Sequence, residues 1–212
     1  MFKMVEYTTD QEIDQSYRFL DVAYPKEDLL KDLNWHLTNS YAGTYTLCPA
    51  QSFVPWKENV KSEFFFDLYR KIESVWPHVD ERSTGYYYYK DEGIGLQPHT
   101  DKHGDHPGKY YTLLFPLEGL GILRFYKEKE HLLKTSYVDP FYNIYDDNPV
   151  QEIGSVLIDK PMIFNPTEIV HALDIVERER KILMIRYHSA PDIDQFKIIF
   201  EERWNETFNG NV

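Results

Sequence analysis

The sequence predicts a mainly β domain with flanking helices, built as a sandwich or a barrel. Helical periodicity ends near residue 80, short apolar or alternating segments follow as far as residue 190, and turn residues separate those segments. Short strands at this spacing are typical of sandwiches and barrels, whereas βαβ units need a helix between strands. We therefore expect one domain over 1–212, with a mainly helical extension (1–80), a β core (83–190) and a C-terminal helix (191–205).

Three helices are expected from the spacing of apolar residues. The first follows Pro25 and has acidic residues in its first turn; its apolar positions are Leu29, Leu30, Leu33 and Leu37. The second spans about 58–76, and its apolar stripe comprises Phe65, Leu68, Ile72 and Val75. The third follows Pro191, and the face expected to pack comprises Ile193, Phe196, Ile199, Phe200 and Arg203.

The β core is predicted from short runs rich in aromatic and β-branched residues. Strands are expected at 86–89, 110–116, 121–126, 154–158, 162–164, 168–172 and 181–188. Segment 131–150 has no clear pattern and is expected to be a lid or an ordered loop.

The charge balance and the cysteine content limit the compartment and the partners. The chain carries 23 Lys and Arg against 35 Asp and Glu, a net charge of −12. Nucleic acid favours a basic protein face, so we expect no nucleic-acid partner. Cys48 is the single cysteine, no long apolar run exists, and the N-terminus is unlike a signal peptide. We expect a cytoplasmic protein with no membrane partner.

A short motif, Pro98-His99-Thr100-Asp101, and a later histidine, His171, supply candidate metal ligands. Residues i and i+2 of a strand point to the same side, so His99 and Asp101 can share one ion. Two histidines and one carboxylate bind Fe(II) and leave coordination positions open, whereas zinc prefers to complete a tetrahedron with more histidine or sulfur. The expected metal is therefore Fe(II).

The context of this motif resembles the Fe(II)/2-oxoglutarate-dependent oxygenases, and within them the prolyl-hydroxylase-like branch. The resemblance covers about 86–188. It rests on the glycine-containing segment 93–98 before His99, on the segment 119–126, and on Lys181 ten positions after His171. It implies a double-stranded β-helix, a jelly-roll barrel of two sheets that the N-terminal helices buttress. It also implies a hydroxylase that uses Fe(II), 2-oxoglutarate and O2, with ascorbate as an optional reductant.

The resemblance further implies roles for single residues. Lys181 is expected to bind the C5 carboxylate of 2-oxoglutarate from the interior face of its strand, and Arg186, expected on the opposite face, is the alternate anchor. Tyr89 and Thr112 are expected to contact the same cosubstrate. Arg124 is expected either to contact substrate or to be a paired structural charge.

Three other functions stay open at this point. An AlkB-like nucleic-acid demethylase shares the triad but needs extra arginines after the second histidine, and the charge of −12 counts against it. A non-catalytic metal-binding barrel and a cupin-type enzyme without 2-oxoglutarate are the others. The substrate is expected to be an amino acid, a peptide or another small metabolite.

The charge balance generates a first testable prediction. We expect no tight binding to single-stranded DNA or RNA, because the 35 acidic residues outnumber the 23 basic ones and a protein with net charge −12 repels the phosphates. Fluorescence anisotropy of a labelled oligonucleotide at low and moderate salt measures it. Tight binding that weakens steeply as salt rises would contradict the prediction.

Overall fold

The structure, a computed structural model, describes residues 16–39, 43–44, 51–55, 63–80, 83–101, 108–128, 135–138, 142–145 and 150–209. This part of the chain is mainly β, with two antiparallel sheets and three helices. The helices are α1 (Lys26–Asn39), α2 (Glu63–Val75) and α3 (Ile193–Asn209). None of these described helices is long and apolar enough to cross a membrane.

The two sheets contain seven and six strands. In spatial order, the first sheet contains β1 (Tyr17–Phe19), β11 (Met162–Phe164), β6 (Lys109–Glu118), β13 (Arg180–Ala190), β4 (Gly85–Tyr89), β3 (Gln51–Pro55) and β2 (Gly43–Thr44). The second contains β10 (Val150–Leu157), β7 (Gly121–Glu128), β12 (Val170–Ile175), β5 (Gly93–Asp101), β9 (Tyr142–Tyr145) and β8 (Thr135–Val138).

The central strands of the first sheet are buried on both faces. One face packs against the helices, and its residues form the helix-side cluster, which includes Leu113, Phe115, Leu183, Ile185, Tyr187, Phe196, Phe200 and Trp204. The other face packs against the second sheet, and its residues form the inter-sheet cluster, which includes Tyr87, Tyr89, Leu114, Leu123, Phe125, Phe164, Leu173, Ile182 and Met184. Burial on both faces explains why these strands have nearly continuous apolar sequences.

The C-terminal helix covers the first sheet through a column of aromatic side chains. The rings of Phe115 and Trp204 stack with centroids 4.9 Å apart, and the Trp204 indole donates a hydrogen bond to the Ala23 carbonyl at 2.8 Å. The predicted face of this helix ended at Arg203, which is exposed, whereas Trp204 is buried. The packing face therefore includes Trp204 in place of Arg203, and it continues to Phe208, whose ring stacks on Trp204.

The N-terminal region differs from the mainly helical extension that was predicted. Its helices α1 and α2 are present, but β1 joins one edge of the first sheet and β3 pairs with β4 near the other edge. The glycine-containing segment 93–98, which was not among the predicted strands, belongs to the nine-residue strand β5 (Gly93–Asp101). Segment 131–150, predicted as a lid or loop, contains β8, β9 and the first residue of β10.

The aromatic column generates a stability prediction. Trp204→Ala removes a fully buried ring, so we expect the free energy of unfolding to fall by about 3–5 kcal/mol. Phe66→Ala is the control, because Phe66 is 44% exposed, and we expect it to cost about 1 kcal/mol or less. Urea unfolding followed by circular dichroism measures both; equal losses in the two variants would contradict this packing.

Candidate functional site

The three predicted metal ligands lie together on two neighbouring strands of the second sheet. His99 and Asp101 lie on β5, and His171 on β12 is the register partner of His99. One ligand atom from each residue lies within 4.8 Å of the others, and all three side chains are buried. His99 Nε2 is 3.4 Å from Asp101 Oδ1. We refer to these three residues as the triad.

The loop before β12 fixes the orientation of two triad residues. The Asn165 side-chain oxygen accepts hydrogen bonds from the backbone N–H groups at 167 and 168, which closes a turn. Within this turn the Pro166 carbonyl accepts a hydrogen bond from the Asp101 backbone N–H at 2.9 Å. The Ile169 carbonyl is 3.1 Å from His171 Nδ1, so Nδ1–H donates and Nε2 is left for a metal.

The electrostatic environment favours the metal-binding forms of two triad residues. Burial by itself raises the pKa of Asp101, but the Arg186 guanidinium and the two histidines outweigh it and bring that pKa to about 2. Burial, together with the neighbouring His99, lowers the pKa of His171 to about 3. At neutral pH Asp101 is thus ionised and His171 is neutral, which are the states that ligate a metal.

The donor set fits Fe(II). Two imidazoles and one carboxylate on one side of an ion, with the remaining positions open, are the arrangement of non-haem iron oxygenases. The second imidazole nitrogen of His171 is already hydrogen-bonded, as is usual for a metal-ligating histidine. The triad therefore fits the metal predicted from the sequence.

The orientation predicted for Lys181 is wrong. On β13, Leu183 and Ile185 belong to the helix-side cluster, and Lys181 shares their parity. Its ammonium group pairs with Glu118, a contact that the sequence analysis did not expect. The opposite face of β13, toward the second sheet, carries Arg180, Ile182, Met184 and Arg186, because their register partners on β4 and β6 face that way.

Arg180, one position before Lys181, is the residue that the sequence analysis missed. Its side chain is fully buried, and its guanidinium nitrogens have no hydrogen-bond partner in the described part of the chain. The guanidinium lies 5.9 Å from the centre of the Tyr89 ring, and burial lowers the pKa of Arg180 to about 10. The available signal was a basic residue nine positions after His171.

Two glycines make room for Arg180. A Cβ atom on Gly121 would lie 2.5 Å from the Arg180 Cζ atom. A Cβ on Gly119, whose φ is +70°, would lie 2.9 Å from the Arg180 Cα. These two glycines, which lie in the predicted turn and strand at 119–126, thus leave the space that the Arg180 side chain occupies.

The other predicted cosubstrate residues lie on the same face of the first sheet. Tyr89 is the register partner of Arg180, and Thr112 is the register partner of Arg186. Both are buried, and the Thr112 hydroxyl has no hydrogen-bond partner among the residues that the structure describes. Their roles toward the cosubstrate stay predictions.

Arg124 and two further histidines complete the predicted set. Arg124 alternates with Leu123 and Phe125 of the inter-sheet cluster, so it lies on the outer face of the second sheet, where it pairs with Asp174 and Glu152. It is thus a paired structural charge, and the expected substrate contact is not supported. His103 and His106, considered as rival ligands or a solvated turn, lie outside the described residues.

An open groove of about 780 Å³ lies beside the loop that precedes His171. Its walls carry two ion pairs, Arg18 with Asp194 and Lys109 with Glu168. None of its lining residues belongs to the triad. We assign the groove no part in the chemistry of the triad.

The triad generates a metal-binding prediction. We expect His99→Ala to abolish stoichiometric Fe(II) or Co(II) binding while the circular dichroism spectrum is unchanged, because a buried ligand is lost and no backbone contact changes. His78→Ala, at an exposed position, is the control and should bind as the wild type does. Calorimetric titration measures both. Metal binding that survives His99→Ala, Asp101→Ala and His171→Ala would contradict the assignment.

Comparison with known proteins adds evidence on the fold. No family model and no curated protein matches this sequence. The chain is similar to the non-heme alpha-ketoglutarate-dependent epimerase SnoN from nogalamycin biosynthesis, with a TM-score of 0.52 and 10% identity, over 85% of this chain and 81% of that one. A structure of SnoN with Fe3+, alpha-ketoglutarate and nogalamycin RO matches with a TM-score of 0.51 and 11% identity, over 84% and 81% of the chains.

A Pseudomonas putida prolyl-4-hydroxylase matches with a TM-score of 0.47 and 10% identity, over 85% of this chain and 95% of that one. At such low identities, it is the similarity to SnoN that bears on the fold, and on the fold alone. This chain has a fold similar to that of a non-haem iron, 2-oxoglutarate-dependent enzyme.

Proposed function

We propose that this chain is an Fe(II)- and 2-oxoglutarate-dependent dioxygenase with a double-stranded β-helix fold. It hydroxylates an unactivated C–H bond of an amino acid, a peptide or a small metabolite and releases succinate and CO2. One observation carries the proposal: the triad and the guanidinium of Arg180 are both buried in the space between the two sheets. A metal site on one sheet and, on the sheet that faces it, a buried cation without a protein partner in the described chain fit a chelating ligand with a second carboxylate.

The residues of this chain bind, orient and exclude water. Bound Fe(II), with O2 and 2-oxoglutarate, supplies the oxidising chemistry. His99, Asp101 and His171 would hold the ion; the Pro166 carbonyl orients the backbone of Asp101, and the Ile169 carbonyl orients the ring of His171. The surrounding apolar side chains keep the site dry, which strengthens every electrostatic contact inside it.

The partners of the three cations on β13 indicate which of them binds the C5 carboxylate. Lys181 is paired with Glu118 on the other face of the sheet, and Arg186 is paired with Asp101. Arg180 alone of the three has no protein hydrogen bond in the described chain. A buried cation without an anion is costly, and the two parallel N–H groups of arginine match a carboxylate. We therefore assign the anchor to Arg180 rather than to Lys181.

Tyr89 and Thr112 are assigned to the same ligand. The centre of the Tyr89 ring lies 5.9 Å from the Arg180 guanidinium, and Tyr89 belongs to the inter-sheet cluster. The Thr112 hydroxyl is buried on the same face and can hydrogen-bond to a carboxylate oxygen.

A second candidate function is the AlkB-like oxidative demethylase of nucleic acid. One observation favours it: two arginines, Arg180 and Arg186, follow the second histidine on the triad side of β13. The net charge of −12 counts against it. A methylated oligonucleotide added to the assay below separates the two functions.

Succinate formation tests the proposed function. The protein is incubated with Fe(II), 2-oxoglutarate and ascorbate in air, against pools of amino acids and peptides and against a methylated oligonucleotide. We expect metal-dependent succinate with an amino-acid or peptide pool, and none with His99→Ala. If the wild type forms no more succinate than His99→Ala does, with every substrate pool and every metal tested, the chain is not a dioxygenase, and the non-catalytic metal-binding barrel is the function that remains.

The anchor assignment generates a binding prediction with a matched control. Arg180→Met should weaken 2-oxoglutarate binding to the Mn(II)-loaded protein by about tenfold to a hundredfold, because a buried charge-assisted hydrogen bond is lost. Lys181→Met, the neighbouring cation on the opposite face, should bind within about twofold of the wild type. Calorimetry measures both. A loss confined to Lys181→Met would restore the anchor that the sequence predicted.

Arg180→Met also separates a ligand anchor from a structural arginine. It removes a buried charge that has no protein partner in the described chain, so the ligand-free variant should unfold at a melting temperature no lower than the wild type's. Gly121→Ala should weaken 2-oxoglutarate binding without any change of charge, because its Cβ displaces the guanidinium.

A further inference from the structure

Arg186 makes a buried contact with a triad residue. Its Nη2 atom lies 2.8 Å from Asp101 Oδ2, and the two side chains are 9% and 1% exposed. Asp101 Oδ1, the other oxygen, faces His99 Nε2 at 3.4 Å. The two oxygens of one carboxylate therefore have different neighbours, one an arginine and the other a metal ligand.

The backbone of Arg186 is held on both sides before any metal binds. Its N–H donates to the Thr84 hydroxyl at 3.0 Å, and its carbonyl accepts from the Asp80 N–H at 2.8 Å. Asp80 is itself fixed, since its carboxylate accepts hydrogen bonds from Tyr110 and Ser83. The backbone of Arg186 is thus hydrogen-bonded within the part of the molecule that carries the first sheet, while Asp101 belongs to the second sheet.

A carboxylate can bind a metal through one oxygen or through both. If Asp101 used both, the ion would lose one of the open positions that a chelating cosubstrate and O2 require. The Arg186 guanidinium opposes this, because its ion pair with Oδ2 at 2.8 Å draws that oxygen toward Arg186 and leaves Oδ1 for the ion.

We propose that Arg186 is a positioning residue that holds Asp101 as a one-oxygen ligand and thereby keeps the third open position of the metal free. The proposal rests on the proposed function, because it takes the triad to be the metal site. It replaces the role of alternate cosubstrate anchor that the sequence suggested for Arg186.

Co(II) binding to the metal-free protein tests this role, because the visible absorption of Co(II) reports how many ligands surround it. Arg186→Met should change that spectrum and weaken Co(II) binding by about tenfold to a hundredfold, as loss of a residue that orients a ligand does. Arg186→Lys should lie closer to the wild type in both measurements, because a cationic donor is retained.

Arg124→Met is the matched control. Arg124 also pairs with carboxylates across neighbouring strands, but on the outer face of the second sheet. It should leave the Co(II) spectrum and the affinity unchanged. An Arg186→Met protein with the wild-type spectrum and an affinity within twofold would overturn the inference.

Two further variants cover the cases in which Arg186→Met does not fold or the wild type does not bind Co(II). If Arg186→Met does not fold, the double variant Asp101→Asn/Arg186→Met decides: recovery of the fold supports the contact, and failure to recover overturns it. His99→Ala identifies a failure of the proposed function itself. A wild type that binds Co(II) no better than His99→Ala overturns both proposals, whereas good wild-type binding that Arg186→Met preserves overturns only this one.

Discussion

The pairing of β13 with β4 and β6 determines which of its side chains face the triad. Its residues alternate between two separate cores, one under the helices and one between the sheets. The register with β4 is continuous from Arg180 to Met184, so the direction of each side chain is set by that of its partner. A shift of one position would exchange every residue of the two cores, and with them the cations that the site can use.

The two buried arginines of this strand lie in different electrostatic situations. Arg186 has a carboxylate 2.8 Å away, so its charge is compensated within the protein. Arg180 has the edge of an apolar cluster, a tyrosine ring and two glycines around it. The first arrangement needs no ligand to compensate its charge, which suits the positioning role that we propose for Arg186. The second has no anion among the described residues, which suits the binding role that we propose for Arg180.

The triad was predictable because its signal is local. Positions 99 and 101 share a face in any strand, so predicting that they lie together required only the correct assignment of β structure. His171, on a neighbouring strand, completes the group. The orientation of the cations on β13 was not predictable in the same way. The run from Ile182 to Ile185 is apolar at every position, so it carries no signal that separates one face from the other. The choice between Arg180 and Lys181 depended on the assignment of these faces.

The close approach of Gly121 to the Arg180 guanidinium has a consequence for comparing sequences. Because the two residues occupy one volume, they constrain each other although 59 positions separate them in the chain. In a chain of this fold with a larger residue in place of Gly121, an arginine at the position of Arg180 would have to direct its guanidinium elsewhere. The pair, more than either residue alone, is therefore a criterion by which distant members of such a fold can be grouped according to where they carry a buried cation.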